Sequence, residues 1–281
     1  MSGLTARLRR ALVHPSLASG AALSAIIAAV ALLSLVWTPY SPYEIDVADK
    51  LEPPTPEHWF GLDALGRDVL SQAMVGAQNS ILVGAIAVGL GLGVGGTLGV
   101  IAAAEGGWID ELAMRLTDFA FAFPALLSAI MLTAVFGPGI AISIAAIGIF
   151  NIPVFARVGR ASAKSVWARE FAIAAQAIGK SKLRITLDHI LPNIASALIV
   201  QATIQFAAAI LWEAALSYLG LGTQPPHPSW GRMLNDAQAQ LFQAPWLAVF
   251  PGVAIVLAVL GLNLLGDGLQ DLFDPRIARE R

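Results

Sequence analysis

Six stretches of this chain, near residues 17–37, 78–103, 119–136, 140–156, 193–218 and 246–265, are apolar enough to cross the hydrocarbon core of a bilayer. Such a crossing takes about 20 helical residues at about 1.5 Å each. Lipid offers the backbone no hydrogen-bond partner, so each stretch must satisfy its own peptide groups as an α-helix. The expectation is an all-α membrane protein with six transmembrane helices. Composition agrees, with 57% of 281 residues hydrophobic and 13% charged and a mean hydropathy of +0.70, far from soluble averages.

The first stretch follows Arg7, Arg9 and Arg10, a layout shared with cleaved signal peptides. Their apolar run usually covers about 7–15 residues. The run here is longer, so it reads as a retained helix. Orientation follows from the basic residues. Arg115 lies between the second and third stretches, Arg157, Arg160, Lys164, Arg169, Lys180, Lys182 and Arg184 between the fourth and fifth, and Arg276, Arg279 and Arg281 in the tail. Only Lys50, Arg67 and Arg232 fall on the other side. This asymmetry predicts cytoplasmic termini.

Two proline-marked loops, 38–77 and 219–245, are then expected outside. Trp37, Tyr40, Trp212, Tyr218, Trp230 and Trp246 fall near that surface, where they read as interfacial anchors. Gly91, Gly95 and Gly99 recur every fourth residue in the second stretch, giving one helical face on which another backbone can come close. No later stretch repeats this ladder, which counts against a transporter of mirrored halves.

The longest cytoplasmic connection, about 157–191, contains Gly179-Lys180-Ser181, the end of the phosphate-binding pattern GxxxxGK[ST]. Ala174 stands where its first glycine belongs. A phosphate loop also needs a preceding strand and a nucleotide-binding domain. The periodicity argues otherwise: Phe171, Ala174, Ala175 and Ile178 form one apolar face of a helix, and Gly179 suits its C-terminal cap. Ser181 can cap a second helix with Leu183, Leu187, Ile190 and Leu191 on its apolar face, ending at Pro192. A helix-turn-helix knob is predicted, not an ATP site.

The chain has no cysteine, which excludes disulfides, thiolate metal sites and cysteine nucleophiles. Neither GxSxG nor HExxH occurs, and no histidine lies in a predicted span, so an intramembrane enzyme has no machinery here. His14, His58, His189 and His227 lack ligand spacing, His58 and His227 being the pair a nickel site could draw on. Polar residues inside spans are costly and therefore informative. Gln201 and Gln205 are one helical turn apart, with Glu213 further along. They either line a translocation path or join helices. Asn151, beside Pro153, is expected to satisfy backbone freed by that proline. Asp63 and Arg67 are expected to pair, and Asp68 to cap a helix starting near Val69.

Several segments together resemble one family. Ala174-Ala175, Gly179 and Leu191-Pro192 are similar to the EAA loop of permease subunits in bacterial ATP-binding-cassette importers. FGLDALGRDVLS (60–71), RLTDFAFAFPALL (115–127), HILPN (189–193), EAALSYLGLG (213–222) and PSWGRML (228–234) narrow the likeness to the C-type permease of dipeptide, oligopeptide and nickel importers. The glutamate that names the EAA loop falls at Ile173, and the nearest acid, Glu170, lies one helical turn earlier.

The resemblance implies a type I importer permease fold: residues 1–77 as N-terminal tail, first helix and outer loop, then a five-helix core over 78–281. It implies a non-catalytic subunit in a bacterial plasma (inner) membrane, paired with a second, homologous permease and two ATPase subunits. An extracytoplasmic binding protein would deliver peptide. No cofactor would be bound by this chain, ATP and magnesium being used by the ATPases, and lipid rather than nucleic acid would surround it. Coupling to the ATPase would fall to Glu170, Phe171, Ala174, Ala175, Ile178, Gly179, Lys180 and Ser181, and the path to Gln201, Gln205 and Glu213. A secondary transporter acting without an ATPase is the alternative.

Overall fold

The computed structural model describes residues 15–273. Arg7, Arg9, Arg10, His14, Arg276, Arg279 and Arg281 lie outside the described residues. Five helical rods are long and apolar enough to cross a membrane, and a bent pair supplies a sixth crossing if counted as one. The rods differ from the expected spans in instructive ways. Helix α1 (Pro15–Leu33) is followed by the proline-rich loop. Helix α2 (Val69–Leu90), a wider π-helical stretch (Gly91–Gly96) and α3 (Thr97–Glu105) form one rod of 37 residues. It starts earlier than the apolar run because Asp68 Oδ2 accepts from Ser71 N at 2.7 Å and caps it. The division at 77/78 therefore falls inside a continuous helix.

The third crossing is not one helix. Helix α4 (Gly107–Phe121) and α5 (Ala125–Phe136) meet at 81°. Pro124 has no N–H to continue the ladder and biases Phe123 away from helical geometry, so the chain turns there. The twelve residues of α5 rise only about 18 Å, short of a hydrocarbon core on their own.

Helix α6 (Ile140–Trp167) keeps Pro153 in its interior and runs past the expected end at 156. Two short helices follow, α7 (Glu170–Ala177) and α8 (Lys182–Ile185). A π-helical stretch (Thr186–Ile190) then leads directly into α9 (Leu191–Tyr218). Pro192 does not end the helix as expected. It occupies the first turn of α9, and the wider turn just before it gives the ring room. Helix α10 (Trp230–Ala237) and the last rod, α11 (Trp246–Phe273), complete the bundle.

The core lies in three layers along the rods. At the proline-rich end Val69, Ala73, Ile210, Trp230 and Leu247 pack together, Val83, Ala87, Ile147, Phe155 and Ala209 fill the middle, and Val100, Ala163, Ala172, Ile185 and Ile194 close the arginine-rich end. The glycine ladder packs on α6 as its spacing predicts. A Cβ at Gly91, Gly95 or Gly99 would lie 2.3 Å from Asn151 Cβ, 2.1 Å from Ile152 O and 2.2 Å from Ala156 O. Trp230 is not the interfacial anchor expected of it. It is 2% exposed, and its Nε1 donates to Ala73 O at 3.0 Å, so it serves the core.

Candidate functional site

The connection between α6 and α9 folds into the helix-turn-helix knob that its spacing predicts. Gly179 takes φ +83°, in the left-handed region where glycine is favoured. Gly179 N donates to Gln176 O at 2.9 Å and Lys180 N to Ala175 O at 3.1 Å, the two bonds of a Schellman turn. Ser181 Oγ then accepts from Arg184 N and starts α8. Among the described residues no strand precedes Gly179-Lys180-Ser181, and the only β-type pairing is an isolated bridge between Leu62 and Asp68.

The knob has two faces, divided differently from the predicted periodicity. Ala172 and Ala175 are buried against Val100, Ala163 and Val166, at the ends of α3 and α6. Phe171, Ile173, Ala174 and Ile178 point away from that core and are exposed, as is Glu170. The predicted apolar face is thus split, with Ala175 inward and the larger side chains outward. Small residues inside permit close seating of α7, while the outer face stays exposed, with only the Phe171 ring meeting another, that of His189 at 6.1 Å.

Charged contacts that the sequence reading did not single out hold the knob's platform. Asp110 on α4 accepts from Arg160 on α6, from Arg160 Nη2 at 2.8 Å and from Lys164 Nζ at 2.5 Å. Arg157 Nη2 donates to Asp118 at 2.5 Å, and Lys182 Nζ to Glu105 at 2.9 Å. Lys180 Nζ lies 3.3 Å from His189 Nε2 and 3.5 Å from Asp188. Several of the arginines and lysines counted for orientation are therefore ties between elements. The i,i+4 spacing of Arg160 and Lys164 is the one signal that both could reach the same acid.

In the middle of the bundle Gln201 Nε2 donates to Gln205 Oε1 at 3.3 Å, and Gln205 Nε2 donates to Asn151 Oδ1 at 2.6 Å. Asn151 thus bonds a side chain on α9 instead of the backbone freed by Pro153 that it was expected to satisfy. Glu213 stands apart from this amide chain. It is 0% exposed and accepts from Ser80 Oγ at 2.8 Å, Ser217 Oγ at 2.7 Å and Thr223 Oγ1 at 3.2 Å. Hydroxyls from α2, α9 and the following loop enclose its carboxylate, which ties three elements together.

At the proline-rich end Asp63 pairs with Arg67 at 2.7 Å and accepts from Gln72 Nε2 at 2.9 Å. Asp68 accepts from Ser71 N, Ser71 Oγ and His58 Nδ1. The His58 ring lies tilted against Tyr40 at 4.4 Å, while His227 lies edge-on to Tyr43, so each is engaged locally. Asp68→Ala removes a buried cap, which typically costs about 1–2 kcal/mol. A lowered thermal midpoint of the purified protein, with Asp68→Asn losing less, is the expected result.

Residues 95–279 match the model of a family described as binding-protein-dependent transport system inner membrane component. The chain belongs to this family. A dipeptide transport system permease protein, DppC, of Alkalihalophilus pseudofirmus is 44% identical over 248 residues, covering 88% of this chain and 82% of the relative. A glutathione transport system permease protein, GsiD, of Escherichia coli O1:K1 is 46% identical over 263 residues, covering 93% and 87%. The MetNI methionine ABC transporter, solved in inward facing conformations, has a chain of the same fold, with a TM-score of 0.59 at 15% identity over 71% of this chain and 95% of that one. As a binding-protein-dependent transport system inner membrane component, the chain is a multi-pass, non-catalytic permease subunit. A secondary transporter acting alone is set aside by that membership.

Proposed function

We propose that this chain is one permease of an ATP-driven peptide importer, paired with a second, homologous permease above two ATPase subunits that use ATP and magnesium. An extracytoplasmic binding protein delivers the cargo. The arginine-rich end faces the cytoplasm, in keeping with the bias of basic residues toward that side. Peptide as cargo is supported by the named roles of the dipeptide and glutathione relatives.

The observation that carries the reading is the knob: an exposed apolar face of Phe171, Ile173 and Ile178 on a helix whose underside is packed. An exposed apolar face rimmed by charge suits a protein groove. The ATPase occupies it, with Glu170, Ala174, Ala175, Gly179, Lys180 and Ser181 shaping and fixing the contact. Closure of the ATPases then moves α6 and α9, which the knob joins, between two packings of the bundle. Ties such as Asp110 to Arg160 keep that transmission stiff. Gln201 and Gln205 line the path between the packings, and Glu213 keeps the wall of α9 registered on α2.

The test is isolation of the chain from its native membrane followed by reconstitution. Co-elution of ATPase subunits, and uptake of a dipeptide that needs both ATP and the binding protein, are expected. Uptake by the isolated chain driven by an ion gradient alone would contradict the proposal.

A further inference from the structure

A groove of about 850 Å³ runs between the rod of α2 and α3 and the rod of α9, with Leu262 of α11 also on its wall. It extends from Ile101 and Leu183 at the arginine-rich end to Val88 and Phe206 deeper in the bundle. Val88 and Ile101 belong to one continuous rod, and at about 1.5 Å per residue the span between them rises about 20 Å. That is about the depth of one bilayer leaflet with its headgroups.

No charged side chain lines the groove. The hydroxyls of Thr97 and Thr203 turn back on their own helices, donating to Gly93 O at 2.6 Å and to Val200 O at 2.7 Å. A polar ligand would lose its water here and gain few partners, whereas hydrocarbon has none to lose. Size separates two apolar occupants. Spread over about 20 Å, the volume gives a mean cross-section of about 40 Å², while a helix about 10 Å across takes up about 80 Å². An extended hydrocarbon chain fits, and a further helix does not.

The groove opens where its charge partner stands. Ile101, Leu183, Leu187 and Ile199 are exposed along its edge. Lys182 is tied to Glu105 at 2.9 Å across the arginine-rich end. Arg184, next to Leu183 and within a turn of Leu187, is exposed and has no ion pair among the described residues. The two π-helical stretches border the groove from opposite walls, Leu92 and Gly96 on one and Thr186 and Leu187 on the other. Such wide turns recur at functional sites.

We propose that this groove binds an acyl chain of an anionic phospholipid from the leaflet at the arginine-rich end. The chain lies along Leu92, Val100, Leu191 and Leu198, and Arg184 meets the phosphate at the mouth. Walls on α3, α9 and α11 and a preferred headgroup charge set this lipid apart from the shell around any spanning protein. The site stands on the membrane crossings and not on the identity of the cargo.

The probe is phosphatidylglycerol carrying a diazirine in one acyl chain, with phosphatidylcholine of the same chains for comparison, each mixed into vesicles holding the assembled transporter. Illumination is expected to label groove residues such as Leu191 or Leu198, read by peptide mapping. Phosphatidylglycerol should label about fivefold more than phosphatidylcholine, the worth of about one basic residue beside an anionic lipid. Arg184→Gln, a change at an exposed position, should bring the two lipids within about twofold of each other. Ala195→Trp, which puts an indole into the groove, should abolish groove labelling by both. Equal labelling by the two lipids before any substitution, or groove labelling that survives Ala195→Trp, would overturn the site. So would label elsewhere on the rods with none in the groove, the result expected if the second permease covers it.

Discussion

Gly179→Val is expected to leave the chain inserted and folded while ATP-driven uptake falls below about a tenth of the unsubstituted rate. Space is not the reason, since a Cβ at Gly179 would meet nothing within 4 Å. The backbone is: φ is +83°, and a β-branched residue held there costs about 1–3 kcal/mol. Little local packing opposes relaxation, because α7 is seated through alanines, whose burial contributes less than that of larger side chains. The Schellman turn would open, and α7 would rotate away from α8 or fray. A loosened knob absorbs motion that a stiff one transmits. The measurement is uptake against ATP hydrolysis in reconstituted vesicles: hydrolysis should persist while transport per ATP collapses. Gly179→Asn should retain more coupling, since asparagine tolerates the left-handed region. Full coupled transport by Gly179→Val would show that the turn geometry is not what transmits the motion.

Gly95→Val is expected to act on stability instead. Its Cβ would lie 2.1 Å from Ile152 O and 2.9 Å from Ile152 C. Both atoms are backbone of α6, so no side chain can rotate aside and the two rods must separate. Overpacking of this kind typically costs about 1–3 kcal/mol, and neighbouring contacts of Gly91 and Gly99 with α6 would be lost with it. A fall of roughly 5–10 °C in the thermal midpoint of detergent-purified protein is expected, with lower yield of the assembled transporter. Gly93→Ala serves as control, because an added Cβ there would meet no packing partner within 4 Å among the described residues. An unchanged midpoint for Gly95→Val would mean that α6 does not press on the ladder.

Patterns that depend on local chemistry were legible in the sequence. The Gly91, Gly95 and Gly99 ladder specifies a close backbone contact by spacing alone, although it does not name α6 as the partner. The Gly179 turn and the Ser181 cap follow from residue type and periodicity, and so do the Asp68 cap and the Asp63–Arg67 pair. What was illegible depends on partners distant in sequence or on small adjustments of helical pitch. The two π-helical stretches add one residue to a turn without changing composition, so nothing in the residues announces them. That widening is why Pro192 passes through a continuous helix. The break before Pro124 was available from the proline itself, but the surrounding apolar run masked it. Asn151 and Gln205 are far apart in the chain, and so are Asp110 and Arg160; their pairing appears only once α6 is laid against α9 and α4. The outward face of α7 was half readable: periodicity grouped Ala175 with Phe171, Ala174 and Ile178, and only the fold shows that Ala175 turns inward.

The central claim is that the knob's outer apolar face receives an ATPase. The chain has no cysteine of its own, so a single one can report contact. Ile178→Cys places a thiol on the knob at a position 78% exposed, and Trp59→Cys places one at the opposite end at a position 68% exposed. With a short thiol cross-linker in the assembled transporter, Ile178→Cys should capture an ATPase subunit and Trp59→Cys should not. Capture of the ATPase by Trp59→Cys, or none by Ile178→Cys in a transporter that imports normally, would contradict the account.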